Sequence, residues 1–355
     1  MDTLTQAALG AAIGGTVLGR RLGRKAVLLG AVLGTLPDLD VVIDYGDAVS
    51  NYTQHRGFSH SLFLLAGLST LLAGLCTRLS PARDISFRHW WLFFGLCLMT
   101  HPLLDTLTTY GTQIWWPSGA SPSAWPIVFI IDPLYSLPLL VATVVALIIG
   151  HGRRASAWGL ALSCAYLLFS MGAKEVVETR IAPVLAAHEL EDAPRLMQPT
   201  PFNVLLWRVT VIDGNAHHES LVGVFDGDHR PLLETYTRGA ELEDVVSTLS
   251  KGKRLEWFAS PFLRYDIRDI GDARVLVATD LRLGFPGFYP FSFVLAEAGP
   301  NNEWLPTVTY QLDTSRSDNG VALSRLFQRI LDPEPPLCTS DFVDRRWVRS
   351  LPEVC

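Results

Sequence analysis

The chain has 355 residues, 49% of them hydrophobic and 18% charged, with a formal net charge of −6 and a positive mean hydropathy. That is too apolar for an ordinary soluble protein of this size, and the acidic balance gives no footprint of nucleic-acid binding. The charge is uneven: residues 1–172 hold 10 Lys+Arg and 8 Asp+Glu while the remainder hold 19 and 27, so the chain divides near residue 173.

Six apolar segments, 3–19, 26–43, 60–77, 89–108, 131–150 and 156–172, each approach the ~20 residues that carry a helix across a bilayer. The expectation is an α-helical integral membrane bundle of about six transmembrane helices over residues 1–172. The first segment is diluted by Gly10, Gly14, Gly15 and Gly19, small residues spaced for close helix approach, which predicts an interior position. Asp2 precedes it and Arg20, Arg21, Arg24 and Lys25 follow, the reverse of a secretory signal, so it is expected to be retained. Those basic residues, with Arg78, Arg83 and Arg88 and with Arg153 and Arg154, fall in alternate loops, which the positive-inside rule makes cytoplasmic.

A polar helical connector is expected over 173–199, and a β-rich (α+β) extramembrane domain over 200–355. The strand signal is in runs such as "VLLWRVTVID" at 204–213, "LVGVFD" at 221–226, "WFASPFLRYDI" at 257–267 and "ARVLVATDLRLG" at 273–284. Cys76, Cys97 and Cys164 read as packing residues. Cys338 and Cys355 are available for a disulfide in an oxidising compartment, with the pairing left open. The whole reads as a multi-pass membrane protein, its carboxy-terminal domain extracytoplasmic.

On that topology Asp2, Asp38, Asp40, Asp44, Asp47, Asp105 and Asp132 share the outer level with His55, His60 and His101. Ionisable groups at membrane depth mark a site or a paired network. In "HRGFSHS", Ser59 is a candidate N-cap, His55 and His60 are candidate ligands for a divalent metal, and Arg56 beside them suits an anionic group; interfacial histidines with a snorkelling arginine are the bland reading. In "THPLLD", His101 and Asp105 stand four apart on one helix face, a spacing for two ligands or for a ligand and its supporting carboxylate. In "LPDLD", Asp38 and Asp40 would repel each other unless a cation lay between them or the helix end were solvated. Asp132 enters the fifth segment as either a reacting carboxylate or a favourable helix-end charge. Trp115, Trp116 and Trp125 read as an interfacial belt or lid. No G-x-S-x-G elbow, Walker loop, H-E-x-x-H or C-x-x-C competes.

The blocks "MDTLTQAALGAAIG", "GTLPDLDVV", "HRGFSHSL", "THPLLDTLTTYGTQIWWP" and "IIDPLYSLPLL" resemble the YdjM-like family of membrane-bound metal-dependent hydrolases, also described as LexA-binding, inner membrane-associated hydrolases. The resemblance covers residues 1 to about 150, and Gln6 stands where many members have histidine. It implies a hydrolase. The expected assignment is a divalent metal, zinc first with manganese or magnesium as alternatives, held by Asp38, Asp40, His55, His60, His101 and Asp105. Asp40 or Asp132 would take a proton and Arg56 would stabilise negative charge. The expected substrate is a phosphoester of a lipid or lipid-linked molecule in the bilayer. Two rivals from other classes are an ion or metal transporter and a non-catalytic scaffold with a structural metal.

Overall fold

The computed structural model describes residues 1–79, 84–150, 152–301, 303–313 and 319–355, so Arg83 lies outside the described residues. The chain forms two compact units. The first holds Met1–Ile43, His55–Met171 and Pro201–Asn203, and the second holds Asp44–Gln54, Gly172–Thr200 and Val204–Cys355.

In the first unit, Asp2 caps helix α1 (Thr3–Val17) by accepting from the Thr5 N–H at 3.0 Å. The short α2 (Gly19–Leu22) ends at Gly23, which takes a positive φ of 56° and turns the chain into α3 (Arg24–Thr35). Helices α1 and α3 touch backbone to backbone, because a Cβ on Gly10 would stand 2.1 Å from the Gly30 carbonyl oxygen and one on Gly14 2.1 Å from that of Ala26. Pro37 cannot donate to a continuing helix, and the chain tightens into a 3-10 segment, Leu36–Val42. Three further apolar helices follow: α5 (Leu62–Leu79), α6 (Phe87–Asp105) and α7 (Pro133–Ile149). The 35-residue α8 (Arg153–Ala187) begins in this unit and runs on past Met171, its remaining residues counting to the second. A shared core of Leu9, Ile13, Leu33, Phe93, Leu98 and Leu139 joins α1, α3, α6 and α7.

The six-span expectation is overturned. Among the described residues, α5 and α8 are the two helices long and apolar enough to cross a membrane. At ~1.5 Å per residue, α3 with 12 residues reaches about 18 Å against a hydrocarbon core of about 30 Å. Helix α1 has 15 residues, and ten of them are buried within the protein. Its apolar character therefore serves protein packing, a distinction that hydropathy cannot make. An orientation counted over six alternating spans falls with them.

In the second unit, α4 (Ala48–Gln54) is an excursion from the first half of the chain. Its Tyr52 donates to Asp280 at 2.8 Å and stacks on Phe291, and Arg254 Nε donates to Thr53 Oγ1 at 2.9 Å. One antiparallel sheet orders β1 (Arg195–Pro199), β2 (Leu206–Asp213), β3 (Ala216–Gly223), β4 (Glu234–Thr237) and β9 (Val348–Ser350) as 1-2-3-4-9. The other orders β5 (Leu263–Ile270), β6 (Ala273–Asp280), β7 (Ser292–Ala298) and β8 (Trp304–Gln311) in sequence. The run "WFASPFLRYDI" is split, since α10 (Ser250–Ala259), which follows the short α9 (Glu243–Val246), takes its start and β5 its end. A last helix, α11 (Asn319–Leu331), precedes a tail tied by the Cys338–Cys355 disulfide.

Candidate metal centre

Four segments far apart in sequence meet in the first unit. The 3-10 turn after α3 supplies Asp38, a second 3-10 turn (Phe58–His60) supplies His60, and the last turn of α6 supplies His101 and Asp105 on one face. Helix α1 lies alongside and adds Gln6, whose Nε2 donates to Asp105 Oδ1 at 3.1 Å and to the His101 carbonyl at 3.2 Å. The Met1 amino group also pairs with Asp105 Oδ1. His60, His101 and Asp105 are fully buried.

One atom from each of the four residues faces a common point. His60 Nε2 lies 3.4 Å from Asp38 Oδ1, 3.3 Å from Asp105 Oδ2 and 3.2 Å from His101 Nε2. His101 Nε2 lies 3.2 Å from Asp38 Oδ1 and 3.5 Å from Asp105 Oδ2. Ligands about 2.0–2.1 Å from a tetrahedral ion are separated by about 3.3–3.4 Å along each edge. The five measured edges match that cage, and these four residues can hold a metal ion.

The surrounding hydrogen bonds decide which atoms carry protons. His101 Nδ1 donates to the Gly34 carbonyl at 2.6 Å, which leaves its Nε2 a lone pair. Ser59 donates its hydroxyl to Asp40 Oδ2 at 2.8 Å and so accepts from His60 Nδ1 at 2.9 Å, leaving His60 Nε2 a lone pair as well. Asp38 Oδ1 and Asp105 Oδ2 accept no hydrogen bond among the described residues. Four lone pairs thus converge on one point, an arrangement that a cation at the centre would complete, while the Met1 amino group and the Arg56 guanidinium meet Asp105 from outside it.

Asp40 and His55, expected among the ligands, stand behind this cage. Two steps along a 3-10 helix turn a side chain by about 240°, so Asp40 points away from the position Asp38 takes. Asp40 accepts from His55 Nδ1 at 2.9 Å, from the Arg56 backbone N–H at 2.8 Å and from Ser59. Burial raises its carboxyl, but the hydrogen bond and charge of His55 outweigh that and hold it below the ordinary carboxylate range. Asp132, expected as a proton acceptor, is committed to the start of α7: it accepts from the N–H groups of Leu134 and Tyr135 at 3.0 and 3.3 Å and from the Tyr166 hydroxyl at 2.8 Å.

Arg56 lines the cage on one side. Its backbone takes a left-handed φ of 59°, held by the N–H bond to Asp40 and by the Gln113 N–H on its carbonyl. Its guanidinium is buried over the Tyr110 ring, with Nε 3.2 Å from Asp105 Oδ2 but not aligned as a hydrogen bond. Both Nε and Nη1 are buried without an acceptor among the described residues. Gln6 escaped sequence reasoning as a site residue. The available signal was an amide inside a helix otherwise made of Gly, Ala and apolar residues.

The profile of a family described as "YdjM inner membrane protein" matches residues 1–177. An uncharacterized protein of Bacillus subtilis (strain 168), YfhP, is 26% identical over 276 residues, covering 75% of this chain and 80% of its own. The inner membrane protein YbcI of Escherichia coli (strain K12) is 33% identical over 114 residues, covering 32% of this chain and 64% of its own. No solved structure matches.

Proposed function

The amino-terminal half of the chain, residues 1–177, belongs to the YdjM inner membrane protein family, and on that premise we propose that it is a metal-dependent hydrolase of phosphoesters carried by amphiphilic, lipid-like molecules. One observation carries the reading: a buried cage of four lone pairs shares its wall with an arginine whose Nε and Nη1 have no acceptor among the described residues. Asp38, His60, His101 and Asp105 would hold a divalent ion, zinc by their donor set; on taking a further ligand it would supply Lewis acidity for the bond to be cut and an acidified water molecule. Arg56 binds a phosphoryl oxygen and meets the negative charge that develops on it.

Proton handling falls to His55. Asp40 fixes the His55 Nδ1–H, which leaves Nε2 free on a ring that is a quarter exposed. Through Ser59 the same carboxylate orients the ligand His60. Asp40 is thus a positioning residue for both imidazoles.

The preference for an amphiphile rests on what surrounds the cage. Ser61 Oγ donates to the Trp116 carbonyl at 2.7 Å and Leu62 N–H to the Ile114 carbonyl at 3.0 Å, tying the aromatic loop to the start of α5. Phe58, Phe63, Trp115 and Trp116 are exposed there, with Trp115 against Phe63 and Trp116 against Phe58. Aromatics at the head of a candidate span sit at headgroup level. The Cys338–Cys355 disulfide supports an oxidising, extracytoplasmic location for the carboxy-terminal unit.

The test is hydrolysis of short-chain phosphatidic acid by full-length protein in detergent, scored as released inorganic phosphate before and after loading with zinc, manganese or magnesium. Metal-dependent release that is lost in Arg56→Met and His55→Gln is the expected result. Protein that holds stoichiometric metal and releases no phosphate under any loading would discard the phosphoester assignment. Metal uptake into vesicles by the wild type would favour transport instead.

A further inference from the structure

The second unit contains a buried cationic cluster that the amino-terminal site does not explain. In antiparallel sheets directly paired residues share a face, and the pairs Thr210 with Glu219 and Ile212 with His217 place His217 and Glu219 together on one face of β3. Arg208 reaches that face from β2, with Nε and Nη2 donating to Glu219 at 2.8 and 2.6 Å. Tyr289 closes the group, its hydroxyl 3.1 Å from Arg208 Nη2.

Arg264 on β5 joins the cluster from the other sheet and has no such partner. Its guanidinium carbon lies 5.4 Å from the Tyr289 ring centroid, as does that of Arg208, and 4.4 Å from the Trp347 ring centroid. Its flat faces are therefore covered by aromatics, while its edge is what hydrogen-bonds. The side chain is 5% exposed, and Nε is buried without an acceptor among the described residues. His217, 2% exposed and stacked on Tyr236, has a buried Nδ1 that is likewise unpartnered. Burial pushes His217 far below the ordinary imidazole range, and the charges of Arg264 and then Arg208 push it the same way; on the geometry, His217 shares its strand face with Glu219, and Tyr289 lies against both Glu219, its hydroxyl at 3.4 Å, and Arg264. Glu219 answers Arg208, whereas Arg264 has no ion-paired carboxylate among the described residues, because Asp266, two residues along β5, pairs with Arg268. A buried guanidinium left this way is destabilising unless an anion completes it.

We infer that Arg264 and His217 form a binding site for a small oxyanion, a carboxylate or phosphate group, within the carboxy-terminal unit. Arg264 supplies the charged donor and His217 Nδ1 a second polar contact. The 3-10 turn Arg345–Trp347, which lays Trp347 on Arg264 and leads into the three-residue β9, is the covering strap. Its tether is the Cys338–Cys355 disulfide, whose loop encloses it.

The experiment is thermal unfolding of the full-length protein in detergent at constant ionic strength, titrated separately with inorganic phosphate, acetate and chloride. Phosphate or acetate is expected to raise Tm in the wild type while chloride does not, and whichever acts identifies the source of the oxyanion. Arg264→Met, which removes an unanswered buried charge, should melt no lower than wild type without anion and lose the anion response. His217→Phe should keep the response but weaken the apparent affinity by roughly tenfold. An equal response of wild type and Arg264→Met, or no response of the wild type to either oxyanion, would overturn the assignment. If Arg264→Met does not fold, quenching of tryptophan fluorescence by phosphate in wild type against Trp347→Phe gives the same decision: quenching confined to the wild type supports the site, and none rejects it.

Discussion

The two units each bury a cluster of charged side chains, and the clusters are built on opposite plans. In the second unit Glu219 takes Arg208 Nε at 2.8 Å, Arg208 Nη2 at 2.6 Å and the Thr210 hydroxyl at 3.0 Å, so lone pair meets donor on every side. In the first unit Asp38 Oδ1, Asp105 Oδ2 and two imidazole Nε2 atoms face one another at 3.2–3.5 Å with both imidazole Nδ1 protons directed outward. Both are buried and both are charged. The difference shows how a buried polar cluster declares its purpose: the group of Glu219, Arg208 and Thr210 is complete as protein, whereas the group of Asp38, His60, His101 and Asp105 can take a cation.

The sharpest way to break this comparison is to give the first cluster a proton of its own. Asp105→Asn places N–H donors among the lone pairs. A self-contained network would tolerate that, whereas a cation site loses a charged ligand. We expect metal content of the purified protein to fall from near one equivalent to background in Asp105→Asn and in His60→Ala. Retention of full metal by both variants would reject the cage. In Ser59→Ala and Asp40→Asn, which act through His60, affinity should drop by about 10–100-fold without disappearing.

Next in size is the converse test on the second cluster. Glu219→Gln leaves Arg208 buried beside a neutral amide and should destabilise the protein by roughly 3–5 kcal/mol, read from chemical denaturation, with no change in metal content. Arg208→Met combined with Glu219→Leu removes both charges and should recover most of that loss. A double variant as unstable as the single one would show that packing, and not the charge pair, sets the stability of this region.

Smaller again is the scaffold beneath the cage. Gly10→Ala sets a methyl group against the Gly30 carbonyl and should cost about 1–3 kcal/mol by forcing α1 from α3. Because α1 carries Gln6 to Asp105 and α3 leads to Asp38, metal affinity should weaken along with stability. Gly67→Ala on α5, where an added Cβ meets nothing within 4 Å, is the matched control and should lower neither, helix propensity acting if anything to stabilise it.

The same contrast explains what sequence could and could not disclose. His101 and Asp105 were readable as a pair because four residues are one helical turn, and the Pro37 stop made a convergent carboxylate plausible at Asp38. The choice between Asp38 and Asp40, or between His60 and His55, was not readable, since it depends on a 3-10 geometry and on which imidazole Ser59 supports. Hydropathy marked α1, α3, α6 and α7 as apolar but not whether their apolar faces meet lipid or protein; α1 is mostly buried, and the count of six spans fails there. Gln6 is the instructive omission. It was weighed as a missing histidine ligand, when its amide serves to hold Asp105 in place.

The weakest expected effect lies at the surface of the second unit and marks the lower limit of the comparison. His229 Nδ1 lies 2.7 Å from the Asp226 carbonyl oxygen and Nε2 3.0 Å from Glu334. The hydrogen bond to that carbonyl, followed by the one to Glu334, raises the imidazole pKa above its ordinary value, so the folded state binds this proton more tightly than the unfolded chain. The stabilisation is fully present below about pH 6.5, the unperturbed imidazole value, and is lost as pH rises through the higher folded value. Both partners are exposed, so the contribution is small and screened by salt. In Glu334→Gln the imidazole resonance followed by NMR should titrate at a lower pH than in wild type, with the difference shrinking as salt is added. An unchanged titration would mean that the Asp226 carbonyl alone sets the shift, and that even at the surface the backbone outweighs the ion pair.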